Sequence, residues 1–443
     1  MTPTVRHEIA ATVRLATPVM ISRVGILTLV SVDSAMTGHA GAEELAYYAL
    51  AMAVQTPIMM LGIGLVMGTV ILTAQAHGAG RSVRGGEILS SAVCIAAVIG
   101  LVAAMLLSWG EPLLAWLRQP PDLAVGAASA LAIIGWGIPG VLLHACATFF
   151  LEGIGRPIPG MVVMLVANVV NIALNYALIF GHWGAPEMGA DGAALATTIV
   201  RTAAALALLI FVAVAIDRRQ HGLQVRPRVS VLRNLFALGV PVGLSLGLES
   251  GAFATMMVFA GWLGEIQTAA FQIGFNLVAV PFMAALGLST AASIRVGYAF
   301  GRGDATGMRR AGWTAVGLVV GFEALVSVVI FTWPNAFAGL YSEETDVLLV
   351  AIPAVIVAAI VLIPDAVQTV CIGALRGLSD VWTPTLLFLV SFWGVMVPAG
   401  YWLGVVAGHG AAGLMGGIAA GCVAAALCLL VRFQRVTRER ALV

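Results

Sequence analysis

Three carboxylates stand where carboxylates are costly. Asp33, Glu249 and Asp365 each lie inside a run of apolar residues long enough to cross a bilayer. An ionised acid at mid-bilayer costs about 2.5–3.5 kcal/mol on insertion scales, so each calls for a compensating role. The chemistry open to such a group is reversible capture of a proton or a cation. Glu323, in Gly321-Phe322-Glu323, is a fourth acid of this kind, and its sequence neighbours suggest no role for it. A purely structural alternative is ion pairing with one of three arginines within apolar runs, Arg23, Arg201 and Arg295. Of these, Arg295 falls near the end of its run, within reach of lipid phosphate.

Amides accompany the acids. Asn168, Asn171 and Asn175 recur at helical spacing, with the last two on one stripe, and Gln272 and Asn276 repeat the pattern later in the chain. Such amides serve as glue between membrane helices. Grouped with Asp33 and Thr197, they would form a small hydrated chamber. Pro18 precedes Asp33 and Pro364 precedes Asp365, and each would free a backbone carbonyl for a cation or permit bending.

The elements that must hold these residues follow from composition. Of 443 residues, 60% are hydrophobic and 10% charged, against about a quarter charged in soluble domains. Lipid is therefore the expected solvent. A net charge of +1 argues against nucleic acid as a partner. All basic residues are Arg, and the five cysteines lie in apolar runs without a C-x-x-C pair, which predicts buried, inert thiols. H-E-x-x-H does not occur and the seven histidines are scattered, so no enzyme chemistry and no organic cofactor is expected.

A span needs roughly 20 apolar residues as a helix. Twelve runs qualify: 15–36, 46–74, 89–109, 126–149, 160–181, 189–216, 235–262, 269–298, 312–333, 347–374, 383–407 and 411–432. Arginines outside these runs gather on one side. Arg6 and Arg14 precede the first, twelve occupy the even-numbered loops and four stand at or beyond the end of the last, while the odd loops hold only Arg118. By the positive-inside rule both termini are cytoplasmic.

The longest polar segment, 217–234, separates an amino-terminal lobe (1–216) from a carboxy-terminal lobe (235–443). Shifting one half by 223 residues superposes Pro18 on Pro241, Gly41 on Gly264, Gly64 on Gly287 and Gly80 on Gly303. Later the offset drifts: Gly153 meets Gly377, and Gly189-Ala190-Asp191-Gly192 meets Gly410-Ala411-Ala412-Gly413. Six helices per half give both repeats the same orientation, related by a pseudo-twofold axis along the membrane normal. Transporters that rock two bundles about a central cavity are built this way. The expected fold is thus an all-α membrane protein of twelve transmembrane helices in two six-helix bundles.

The ordered series Val32-Asp33-Ser34-Ala35-Met36-Thr37-Gly38-His39, Gly78-Ala79-Gly80-Arg81, Asn171 to Asn175, Gly192-Ala193-Ala194-Leu195-Ala196-Thr197, Glu249, Gln272-Ile273, Asp365-Ala366-Val367-Gln368 and Leu375-Arg376-Gly377 resembles the multidrug and toxic compound extrusion (MATE) family, NorM branch, over nearly the whole chain. The resemblance implies an antiporter in the bacterial inner membrane. It would export cationic or amphiphilic drugs against inward H⁺ or Na⁺ and act as a monomer. It also implies that Asp33, Asn171, Asn175 and Thr197 form an amino-lobe cation and proton network, with Gln272 among the coupling and substrate residues. Glu249 and Asp365 would form a carboxy-lobe cation site that holds Na⁺ if sodium drives transport. One position departs from the family: Val361 stands where an aromatic often precedes the tenth-helix aspartate. Met52, Met59, Met60, Met256, Met257 and Met283, with Phe253, Phe275 and Phe282, offer an adaptable wall for varied cargo. A lipid or lipid-linked oligosaccharide flippase is the alternative, but its pyrophosphate cargo would call for intramembrane arginines, and the intramembrane charge here is mainly acidic.

Overall fold

The computed structural model describes residues 5–217, 221–222 and 226–440, which form helices and connections without a strand. Arg218, Arg219 and part of the expected 217–234 linker lie outside the described residues. Twelve helices are long and apolar enough to span a membrane. In chain order they are α1 (Val5–Ala40), α2 (Ala42–Gly78), α3 (Ser82–Leu107), α4 (Pro121–Gly153), α5 (Ile158–Phe180) and α6 (Gly189–Ala215). The second six are α7 (Val229–Trp262), α8 (Glu265–Gly301), α9 (Ala305–Thr332), α10 (Thr345–Gly377), α11 (Trp382–Val406) and α12 (Gly410–Glu439). Helix α1 begins ten residues before the apolar run at 15, and α7 starts at Val229 inside the polar segment. Hydropathy marks only the lipid-immersed part of a helix. Its hydrogen bonds carry on into water.

By packing, the chain forms two compact units, one of Ile21–Gly243 and one of Leu244 onward with the chain up to Met20. The boundaries at 20 and 243 are 223 residues apart, the offset read from the sequence, and each follows the internal proline Pro18 or Pro241 by two residues. In the first unit α4 packs against α2, α3 and α6, and in the second α10 packs in the same way against α8, α9 and α12.

The repeat extends to single hydrogen bonds. Glu44 of α2 accepts from the Ala190 backbone N–H at 2.6 Å and caps α6, while Gln267 of α8 accepts from Ala411 N–H at 2.7 Å and caps α12. Each cap satisfies an amide that has no partner within its own helix. Gly80 and Gly303 turn their loops at φ +70° in both halves, in the left-handed region that Gly enters without steric cost. In α11 two π-helical stretches, Phe392–Met396 and Tyr401–Val406, flank Pro398, whose missing N–H breaks the regular ladder.

The cysteine expectation is corrected in part. Cys146, Cys371 and Cys422 are buried, but Cys94 and Cys428 are exposed on outer faces of α3 and α12, where an apolar thiol suits lipid as well as core. Two methionines of the proposed wall, Met59 and Met256, are buried in helix packing.

Close helix contact depends on paired glycines. A Cβ on Gly64 would lie 2.3 Å from Gly243 Cα, whereas one on Gly317 would meet nothing within 4 Å. Gly64→Val therefore forces backbone apart and is expected to cost about 1–3 kcal/mol. Thermal unfolding in detergent should show a clear drop for Gly64→Val and none for Gly317→Ala. Equal midpoints for the two variants would contradict this packing.

Candidate functional site

In the unit Ile21–Gly243, four helices bring their polar residues to one carboxylate. Asp33 of α1 is fully buried, as are Asn171 and Asn175 of α5 and Thr197 of α6. Asn175 Nδ2 donates to Asp33 Oδ1 at 2.7 Å, and Thr197 Oγ1 donates to Asp33 Oδ2 at 2.6 Å. Asn175 Nδ2 also donates to Asn171 Oδ1 at 3.2 Å, and Asn171 Nδ2 donates to Thr197 Oγ1 at 3.4 Å. The four side chains thus close a ring. Asn171 and Asn175 can both take part because they are one turn apart on α5.

A fifth member escaped the sequence reading. Tyr48 of α2 is buried and its hydroxyl donates to Asp33 Oδ2 at 3.0 Å. A lone Tyr in an apolar run reads as an interface anchor, and only the fold shows that it points at Asp33. Three donors to an ionised group, at about 1.5–3 kcal/mol each, offset part of its burial cost of several kcal/mol. No cation stands within salt-bridge distance of Asp33 among the described residues. Arg201, one turn beyond Thr197 on α6, exerts its charge on Asp33 and Tyr48 while its Nη1 contacts Met59 Sδ at 3.6 Å. Beside the ring, Asn175 Oδ1 is a buried acceptor with no hydrogen bond.

In the other unit the acids are held differently. Asp365 of α10 is buried, and its Oδ1 accepts from Gln368 Nε2 at 2.9 Å and from Cys422 Sγ of α12 at 3.7 Å. Cys422 is therefore a polar partner and not an inert thiol. Glu249 of α7 is half-buried, and the charges of Asp365 and Arg376 both act on it. Arg376 Nη2 in turn donates to Ser245 Oγ at 3.3 Å, one turn before Glu249. Glu323 of α9 is buried and neither of its carboxyl oxygens is hydrogen-bonded. The Ser327 hydroxyl, one turn on, donates to the Ala359 carbonyl at 2.7 Å, and this antiparallel register brings Glu323 beside the Pro364–Asp365 turn of α10. Gln368 Oε1 is likewise a buried acceptor without a hydrogen bond. Oxygen acceptors left unpaired beside a carboxylate suit a proton or a hard cation such as Na⁺.

Gln272 lies in the second unit, where its Nε2 donates to Asn276 Oδ1 at 2.9 Å on its own helix. The three intramembrane arginines resolve separately. Arg295 hydrogen-bonds Glu8 and Thr12 of α1 in place of the expected lipid contact. Arg23 sits 3.7 Å from Glu152, with its guanidinium 5.7 Å from the Phe149 ring centroid. Glu152 was missed because it follows the apolar run 126–149, whereas α4 continues to Gly153.

The repeat gives this pair its meaning. Glu152 corresponds to Arg376 at an offset of 224, and Arg23 corresponds to Leu246, one turn before Glu249. Both halves thus set an acid and an arginine between their first and fourth helices, with the polarity reversed.

Twelve apolar helices in two repeats, each enclosing carboxylates, define an α-helical membrane protein of the secondary-transporter class. The MatE family model matches residues 18–177 and again 241–402, so the two matches begin 223 residues apart and end 225 apart. The chain belongs to the MatE family. It is 35% identical to the probable multidrug resistance protein NorM of Caulobacter vibrioides, over 95% of this chain and 90% of that one. It is 31% identical to the multidrug resistance protein PmpM of Pseudomonas aeruginosa, over 98% and 93%. Its fold matches a crystal structure of MATE in the bent conformation with TM-score 0.89 at 20% identity, covering 99% of this chain and 97% of that one. An outward-facing multidrug resistance MATE family transporter of the MOP superfamily matches with TM-score 0.88 at 20% identity, over 98% and 96%.

Removing one partner of a buried ion pair costs about 3–5 kcal/mol because the other charge is left uncompensated. Arg23→Gln should accordingly lower the thermal midpoint more than the double variant Arg23→Gln/Glu152→Gln does. A double variant less stable than the single would show that the Arg23–Glu152 contact carries no coupling.

Proposed function

We propose that the protein is a secondary active exporter of cationic or amphiphilic drugs, driven by inward H⁺ or Na⁺ across the bacterial inner membrane. The names of its relatives in Caulobacter and Pseudomonas support the cargo class. The observation that carries the coupling is Asp33, a buried carboxylate with three hydrogen-bond donors, no ion-pair partner among the described residues and an unpaired acceptor beside it. Such a site can hold a proton, a small cation or a cationic drug, but only one at a time. This competition supplies the differential binding that exchange requires. Asn171, Asn175, Thr197 and Tyr48 adjust to whichever occupant is present.

Glu249 and Asp365 are read as the second cation site, with Na⁺ as its occupant if sodium drives transport. The charge-reversed Arg376 keeps Glu249 from standing uncompensated when no cation is bound. The gathering of arginines on one side supports cytoplasmic termini and two six-helix lobes, 1–216 and 235–443, acting within a monomer.

Proteoliposomes loaded with a fluorescent cationic dye and given a proton gradient or a sodium gradient separately test this reading. One gradient should drive efflux. Asp33→Asn, Glu249→Gln and Asp365→Asn should each cut the driven rate roughly tenfold or more with expression unchanged, since each removes a charge retained at a cost of about 2.5–3.5 kcal/mol. Wild-type rates in all three variants would make these acids structural.

A further inference from the structure

A cavity of about 230 Å³ opens where α1, α8 and α9 meet at the arginine-rich end of the second unit, and it is lined in part by Glu8, Arg295, Arg302, Asp304, Gly307 and Arg310. It has room for several waters, at about 30 Å³ each. Arg295 forms the inner wall and is already committed. One Nη donates to the Glu8 carbonyl at 2.7 Å and to Thr12, and the other binds the Glu8 carboxylate, leaving side chains only 13% and 12% exposed.

Asp304 is committed too. Its Oδ1 accepts from Gly307 N–H at 2.8 Å and from Thr306 Oγ1 at 2.9 Å, capping α9. The Gly307 amide holds this carboxyl below the usual carboxylate range, with burial opposing and Thr306, Arg302 and Arg310 assisting. Arg302 and Arg310 are left over. Both are exposed at the cavity, and neither guanidinium makes a hydrogen bond or an ion pair among the described residues.

The duplication shows that the fold does not require this arrangement. At an offset of 223, Arg295 corresponds to Leu72, Arg302 to Ala79, Arg310 to Glu87 and Glu8 to Val231. The first repeat thus carries apolar or acidic side chains at these four positions. In that repeat Glu87 is paired with Arg228 at 3.0 Å. The first repeat places its own arginines elsewhere in the equivalent loop, Arg81 at the position of Asp304 and Arg84 at that of Gly307, so this pairing of Arg302 with Arg310 belongs to the second repeat.

We propose that this cavity binds the phosphate of an anionic membrane lipid, with Arg302 and Arg310 as its ligands and the Arg295–Glu8 pair as its floor. A phosphate presents several acceptor oxygens, and two guanidiniums can each engage it through forked N–H pairs. Its depth favours lipid over free phosphate, because α8 ends at Gly301 and α9 begins at Ala305, at the boundary of the apolar spans. Basic pockets between membrane helices at this level suit anionic headgroups. A lipid bound there would tie the start of α1 to α8 and α9 within this unit.

The test uses the full chain, purified in detergent and stripped of lipid, with binding read by native mass spectrometry and by thermal unfolding. Phosphatidylglycerol should bind and raise the midpoint, phosphatidylcholine should do neither, and excess inorganic phosphate should compete only weakly. Arg302→Gln/Arg310→Gln should bind phosphatidylglycerol roughly 30-fold more weakly, from about 1 kcal/mol per surface arginine. Arg302→Lys/Arg310→Lys should retain most of the affinity. Because both arginines are exposed and unpaired, all variants should unfold like the wild type without lipid. Equal binding of both lipids, or a Gln variant that keeps wild-type affinity, overturns the site. Stabilisation by inorganic phosphate equal to that by phosphatidylglycerol overturns the lipid assignment.

Discussion

The hydrocarbon interior offers no water, so every polar group placed in it must find its partner within the chain. That constraint shapes this structure more than any single contact. Asp33 meets it with three donors from three other helices. Arg23 and Glu152 meet it with each other. Glu323 does not meet it at all, because both of its carboxyl oxygens lack a hydrogen bond, and nothing visible offsets the cost of ionising it. The proposed exchange of occupants at Asp33 would draw on the same donors in each state.

Duplication supplied the scaffold twice, and divergence placed the chemistry. The backbone devices are shared: Glu44 and Gln267 cap equivalent helices, and Gly80 and Gly303 turn equivalent loops. The charges are not shared. Asp33 corresponds to Met256, Glu152 corresponds to Arg376, and the arginines around α8 and α9 have apolar or acidic counterparts. Charged side chains are free to differ, so each lobe can bind a different ion or respond to a different gradient.

Much of this was legible in the sequence because membrane solvation leaves a coarse signature. Apolar runs marked all twelve helices, and the series Pro18–Pro241, Gly64–Gly287 and Gly80–Gly303 anticipated the offset of the family matches. The stripe of Asn171 and Asn175 correctly pointed to a polar cluster with Asp33 and Thr197. Tyr48 and Glu152 were not legible, for different reasons. Tyr48 reaches Asp33 across a helix pair, which periodicity within one helix cannot show, and Glu152 falls beyond its apolar run while still inside its helix. Gln272 and Asn276 bond each other across one turn, a pairing that their helical spacing alone makes available.

The central claim is that Asp33 holds either a proton or a cationic substrate, and that exchange between them couples transport. Substrate affinity of the purified protein, measured between about pH 5 and 9 for wild type and Asp33→Asn, addresses it most directly, because the amide carries no charge at any of these values. The account predicts affinity that weakens as pH falls for the wild type, and weak, pH-independent affinity for Asp33→Asn. An Asp33→Asn protein with wild-type affinity and wild-type pH dependence would contradict it and shift the coupling to Glu249 and Asp365.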